Sequence, residues 1–208
     1  MVQPVEVLPK ESKLLAFTVD DVFTKEECDE WIALTEKTGY EQAMVNVGNG
    51  RQVLMTDVRN NDRCIIDSDD MANKIYKRIE HLIPDEINGR HKISLNERLR
   101  FLRYTPGQKF EPHHDGSYVR ETGPKKGEQS YLTIQLYLND ACKGGETTFF
   151  LNRKEYHVVP KPGMVLIFQH NILHQGSEVV GGIKFVMRSD IMYSAPSFTN
   201  ITSSSKKN

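Results

Sequence analysis

The chain has 208 residues, 38% of them hydrophobic and 26% charged, and its 27 basic and 28 acidic residues leave a formal net charge of -1. That length and mix suit one soluble domain whose core needs no staples. So even a balance gives no global electrostatic reason to expect nucleic acid or an anionic membrane as partner.

In chain order, the opening MVQPVEVLPKESK lacks the apolar run of a signal peptide, and nowhere is there the run of about 20 apolar residues that a membrane span requires. Leu14 to Thr18 reads as a short strand. A helix is then expected from Thr24, with Glu27 at the capping-box position and Phe23 as staple, running to about Thr38 with Gly39 as a left-handed stop. A second helix is expected from Asp69 to about Ile83. Met71, Ile75, Ile79 and Leu82 mark its apolar stripe, and Pro84 ends it. From residue 97 the pattern becomes strands: Arg98 to Tyr104, Tyr131 to Leu138, Thr147 to Leu151, Glu155 to Val159, Met164 to Phe168 and Ile183 to Tyr193. Gly and Pro pairs such as Pro106-Gly107 and Pro162-Gly163 punctuate them. The expectation is a mainly β fold with flanking helices, a sandwich or jelly roll with the early helices on one sheet. It forms a single domain over 1–195, with helical support over about 20–90, a β core over about 97–193, and a disordered tail over 196–208. Cys28, Cys64 and Cys142 are odd in number and form no Cys-x-x-Cys pair. A disulfide framework and a structural zinc site are therefore not expected, and the compartment expected is a reducing one, cytosol or nucleus.

The chemistry is concentrated in two segments. In Glu111-Pro112-His113-His114-Asp115-Gly116, an extended backbone points His113 and Asp115 one way and His114 the other. An imidazole beside a carboxylate supplies two ligands of a 2-His-1-carboxylate triad, which leaves open positions on Fe(II). A His-x-Asp pair alone fits surface loop residues equally well. The second segment, Phe168 to Gly176, offers His170 and His174, and Lys184 and Arg188 follow on the last strand. Lys184, Val186 and Arg188 share one face of that strand. Cations aimed into an interior call for an anion, such as the far carboxylate of a bound dicarboxylic acid.

These pieces resemble the prolyl-4-hydroxylase-like branch of the Fe(II)/2-oxoglutarate oxygenases. Five fragments fall in the family order: Arg103 to Asp115, Leu136 to Asp140, Gly144 to Phe149, Pro162-Gly163 leading to His174-Gln175-Gly176, and Gly182 with Lys184. The resemblance implies a double-stranded β-helix (a jelly-roll, cupin-like form) with His113, Asp115 and His174 as iron ligands. It also implies Lys184 on the far carboxylate of 2-oxoglutarate, with Tyr104 lining that pocket and the Tyr137 hydroxyl assisting in holding that carboxylate. His174 is preferred to His170 as the distal ligand because Gly176 and Lys184 stand at the family offsets. Arg188 remains an alternative clamp or a substrate contact. His81, His91 and His157 read as surface or structural.

The activity implied is hydroxylation of a C–H bond in a protein or peptide side chain, prolyl first. It consumes O2 and 2-oxoglutarate and releases succinate and CO2, with ascorbate as a candidate reductant. A free amino acid, another small molecule or a nucleobase is the alternative substrate, and a non-catalytic jelly-roll binding module the distant alternative. The segment Asp57–Arg63 lies where a substrate-facing loop is expected, though a solvated polar turn fits it as well. Should Arg59, Arg63 or Arg188 face the cavity, a small carboxylate becomes the better substrate. Gly116 to Gly127 reads as a mobile lid.

Overall fold

The computed structural model describes residues 3–46 and 51–196, so the expected tail lies, from residue 197 on, outside the described residues. Helix α1 (Lys25–Thr38) begins with a complete capping box: the Thr24 hydroxyl accepts the Glu27 amide at 3.2 Å, and the Glu27 carboxylate accepts the Thr24 amide at 3.1 Å. Phe23 is buried against Trp31, ring centroids 5.2 Å apart. Gly39 differs from expectation. Its φ of 97° is positive, but its ψ of 155° is extended, so the chain leaves the helix directly instead of through a left-handed turn. Helix α2 (Asp69–Ile79) is shorter than the pattern suggests, because Glu80–Leu82 tightens into a 3-10 turn and Ile83 is already extended before Pro84.

The strands used below are β1 (Ala16–Val19), β2 (Asp62–Asp67), β3 (Arg90–Leu95), β4 (Arg98–Tyr104), β5 (Phe110–His113), β6 (Gln129–Tyr137), β7 (Thr147–Leu151), β8 (Lys154–Val158), β9 (Val165–Gln169), β10 (His174–Gly176) and β11 (Lys184–Tyr193). The large sheet runs β1-β9-β6-β11-β4-β2, with β3 beside the far end of β11. A small sheet runs β5-β10-β7-β8. Every pairing is antiparallel. Together the sheets form the double-stranded β-helix.

Strand alternation gives the large sheet two different faces. Leu99, Phe101, Ile134 and Met187 pack with Trp31 and Ile75 of the helices. Leu102, Tyr137, Phe168 and Val186 face inward and pack with Phe149 and Val158 of the small sheet. The region read as helical support also contributes β2, whose residues pair with β4 from Asp62↔Arg103 to Asp67↔Arg98. Aspartates at both ends conceal this strand in the sequence. In the fold they meet arginines across the ladder, Asp62 with Arg103 and Asp67 with Arg98, each at 2.9 Å.

Candidate active site

The register of the small sheet creates the first part of the site. His113 at the end of β5 faces His174 at the start of β10, and a bulge within β5 sets this pairing. Asp115 follows two residues later, its amide held by the His170 carbonyl at 3.0 Å. His113 and Asp115 are turned inward while His114 is exposed, the alternation expected of an extended segment. One donor atom from each of His113, Asp115 and His174 lies within 4.8 Å of the others.

Both imidazoles are oriented for ligation. The Nδ1 atoms of His113 and His174 donate to the carbonyls of Glu111 (2.7 Å) and Ile172 (2.9 Å), which leaves each Nε2 with a free lone pair. Those Nε2 atoms stand 3.8 and 3.7 Å from the Asp115 oxygens, beyond hydrogen-bond range. Burial, reinforced by the neighbouring His174, lowers His113 to about 4, and burial lowers His174 as well, so both rings are neutral near pH 7. Burial alone would raise Asp115, but Arg188, His174, His113 and Thr133 hold its carboxyl well below the usual range. Two neutral nitrogens and one carboxylate on a common face are the donor set of a divalent metal with open positions, so the residues fit Fe(II). Phe110 stacks on His113 at 3.6 Å, and Phe168 meets His174 edge-on at 4.7 Å.

The second part of the site is a slot inside the large sheet. Lys184 pairs with Tyr104 across β11 and β4 and is only 2% exposed. Its Nζ lies 5.2 Å from the Tyr104 ring centroid and 5.7 Å from that of Tyr137. No carboxylate among the described residues comes within ion-pair distance of it. Burial lowers this ammonium to about 8, and the two aromatic faces are only a partial substitute for a counter-ion. Gly145 leaves the room required: at its φ of 75°, a Cβ there would approach Lys184 Cδ to 3.3 Å and Val179 Cγ2 to 3.0 Å. The Tyr137 hydroxyl donates to Thr147 Oγ1 at 2.7 Å. Tyr104 is buried and lies close enough to Asp115 and Arg188 to feel their charges, which joins the slot to the His-Asp-His cluster.

Arg188 lies on the same face of β11 but meets protein carboxylates, Asp115 at 3.0 Å and Asp190 at 3.2 Å. His170, the rival distal residue, has both ring nitrogens bonded elsewhere, Nδ1 with Thr133 and Nε2 with Ser130. His81, His91 and His157 are exposed. The Gly116 to Gly127 segment is tied down, unlike a free lid. Arg120 pairs with Glu97 and Glu128, and Tyr118 and Gly127 are held by backbone bonds. Asp57–Arg63 runs beside β5, with Glu111 bonding back to Val58 at 2.9 Å and Arg59 bridged to Phe110. Thr133, Asp190 and Arg100 are neighbours of the site that the motifs do not announce. Their one signal is face alternation along β6, β11 and β4.

Residues 99–189 match the family model described as the 2OG-Fe(II) oxygenase superfamily. Probable prolyl 4-hydroxylase 8 of Arabidopsis thaliana is 33% identical over 138 residues, covering 64% of this chain and 44% of that protein. Probable prolyl 4-hydroxylase 3 of the same plant is 33% identical over 157 residues, covering 74% and 51% respectively. The chain thus spans about half the length of the curated relatives it matches. Among solved structures, the viral collagen prolyl hydroxylase of Paramecium bursaria Chlorella virus-1 in complex with 2OG superposes with a TM-score of 0.61 at 23% identity, over 85% of this chain and 95% of that one. The Trichoplax adhaerens prolyl hydroxylase in complex with a hypoxia inducible factor peptide fragment does so with a TM-score of 0.63 at 13% identity, over 86% and 83%. Likenesses at these identities establish the fold.

Proposed function

Since the chain belongs to the 2OG-Fe(II) oxygenase superfamily, we propose that it is a 2-oxoglutarate-dependent hydroxylase acting on a side chain of a protein or peptide, prolyl first. The observation that carries this reading is the convergence of His113, Asp115 and His174, together with a buried lysine that has no carboxylate partner among the described residues. His113, Asp115 and His174 would hold Fe(II). The metal and 2-oxoglutarate together supply the oxidising power drawn from O2, with succinate and CO2 as by-products.

The chain's own residues bind and exclude. Lys184 receives the far carboxylate of the co-substrate in a charge-assisted pair, and Tyr104 and Tyr137 wall the slot and keep water from it. Thr147 fixes the Tyr137 hydroxyl, and the carbonyls of Glu111 and Ile172 keep the imidazoles in one tautomer. No side chain is required to move a proton in the oxidation. Ascorbate, if used, serves as reductant. A reducing compartment belongs to the same proposal and is supported by three unpaired cysteines. No helix of the described residues is long and apolar enough to cross a membrane.

One observation favours a second reading, a small carboxylate substrate. The Arg59 guanidinium lies 4.6 Å over Phe110, the ring that stacks on His113, and no carboxylate among the described residues pairs with it. Arg63, in contrast, is engaged by Glu41 at 3.2 Å. Succinate release measured against proline-containing peptides and against free amino acids and other carboxylates separates the two. Turnover of peptides with a mass gain of one oxygen supports the first reading. Turnover of carboxylates alone, lost in Arg59→Met, supports the second, and none with either panel refutes both.

A further inference from the structure

Each oxygen of Asp115 already has its own partner in this chain. Arg188 Nη2 forms an ion pair with Oδ1 at 3.0 Å, and Arg188 is itself placed by Asp190, 3.2 Å from the same nitrogen. Asp190 is 2% exposed and is held in turn by Arg100 at 3.2 Å on its other oxygen. At Oδ2 the Thr133 hydroxyl donates at 2.5 Å.

The proton order behind Thr133 follows from donor counting. An ionised carboxylate only accepts, so Thr133 spends its one proton on Asp115 and must accept from His170 Nδ1, 3.0 Å away. The other ring nitrogen of His170, Nε2, lies 2.9 Å from Ser130 Oγ. Ser130 Oγ accepts the Tyr118 amide at 2.9 Å, and the chain of bonds closes.

Lys184 and Arg188 are four residues apart on one strand face, roughly 13 Å at a strand rise of about 3.3 Å. They are therefore not interchangeable ends of a single clamp. We propose that Arg188, with Asp190 behind it, and the Thr133–His170–Ser130 relay form a two-sided brace that positions the Asp115 carboxylate for the metal. Arg188 is accordingly a positioning residue and not a co-substrate ligand. His170, which the sequence offers as a rival ligand, works one layer behind the site.

This inference rests on the metal reading above, and the test keeps the two apart. Co(II) binding to the full chain, followed by its visible absorption without co-substrate, reads the brace. 2-Oxoglutarate binding at saturating Co(II) reads the slot. Arg188→Met is expected to weaken Co(II) by about 10–100-fold, the usual loss when support behind a ligand is removed, and to leave 2-oxoglutarate affinity at saturating metal unchanged. Lys184→Met is expected to do the reverse. Arg188→Lys, which keeps a charge beside Oδ1, should recover part of the Co(II) affinity, and Thr133→Val should lose about tenfold from the other side. These two milder variants carry the test if Arg188→Met does not fold. Co(II) affinity unchanged in Arg188→Met, or in both milder variants if it does not fold, overturns the brace. So does a loss confined to 2-oxoglutarate. Failure of wild type to bind Co(II) would instead remove the metal reading itself.

Discussion

Strand β11 presents two unlike regions from one run of ten residues. Toward the helices, Phe185, Met187 and Ile191 join an apolar layer with Phe101, Trp31 and Ile75. Toward the small sheet the same strand offers Lys184 against the Tyr104 and Tyr137 rings, Arg188 beside Asp115, and Asp190 paired with Arg188. The first face contributes stability through burial and close packing. The second carries charges whose desolvation is costly and which only ion pairs, aromatic faces or a ligand offset. Alternation with a period of two is what allows one strand to serve both.

The largest expected effect comes from the apolar face. Phe101→Ala removes a fully buried ring and should cost about 3–5 kcal/mol in denaturant unfolding, while any folded fraction keeps normal 2-oxoglutarate affinity. A large loss of affinity in that folded fraction would break the division between the faces. Next comes a change of opposite sign. Lys184 falls from 10.5 to about 8 on folding, so burying its charge costs about 3 kcal/mol below pH 8. Without ligand, Lys184→Met should therefore be more stable than wild type by about that amount. Between pH 8 and 10.5 the folded chain sheds this proton before the unfolded one, so the wild-type penalty shrinks and the gap should close above 10.5. A gap independent of pH would show that the ammonium is not strained. The same titration predicts that wild type binds 2-oxoglutarate progressively less well above pH 8, by up to about tenfold per pH unit. The smallest effect is at the start of α1: Thr24→Ala removes the cap and should cost about 1 kcal/mol with co-substrate binding unaltered.

Much of this was readable in the sequence where local chemistry decides. The capping box of α1, the alternation that turns His113 and Asp115 together, and the shared face of Lys184, Val186 and Arg188 all depend on periodicity and near neighbours. Strand β2 was obscured because its end aspartates look like turn residues until Arg98 and Arg103 are found opposite them. The Gly116 to Gly127 segment looked free because its anchors Glu97 and Ser130 lie outside it. The positions of Thr133, His170 and Asp190 around the site depend on contacts between segments far apart in the chain. A single sequence read by spacing does not hold that information.

The most direct test of the site is anaerobic addition of Fe(II) and 2-oxoglutarate to wild type and to His174→Ala, followed by visible absorption. The expected result is a metal-to-ligand band in wild type that disappears in the variant while the circular dichroism of both chains stays the same. A folded wild type with no band, or an equal band in His174→Ala, would contradict the assignment of His113, Asp115 and His174 as the metal centre.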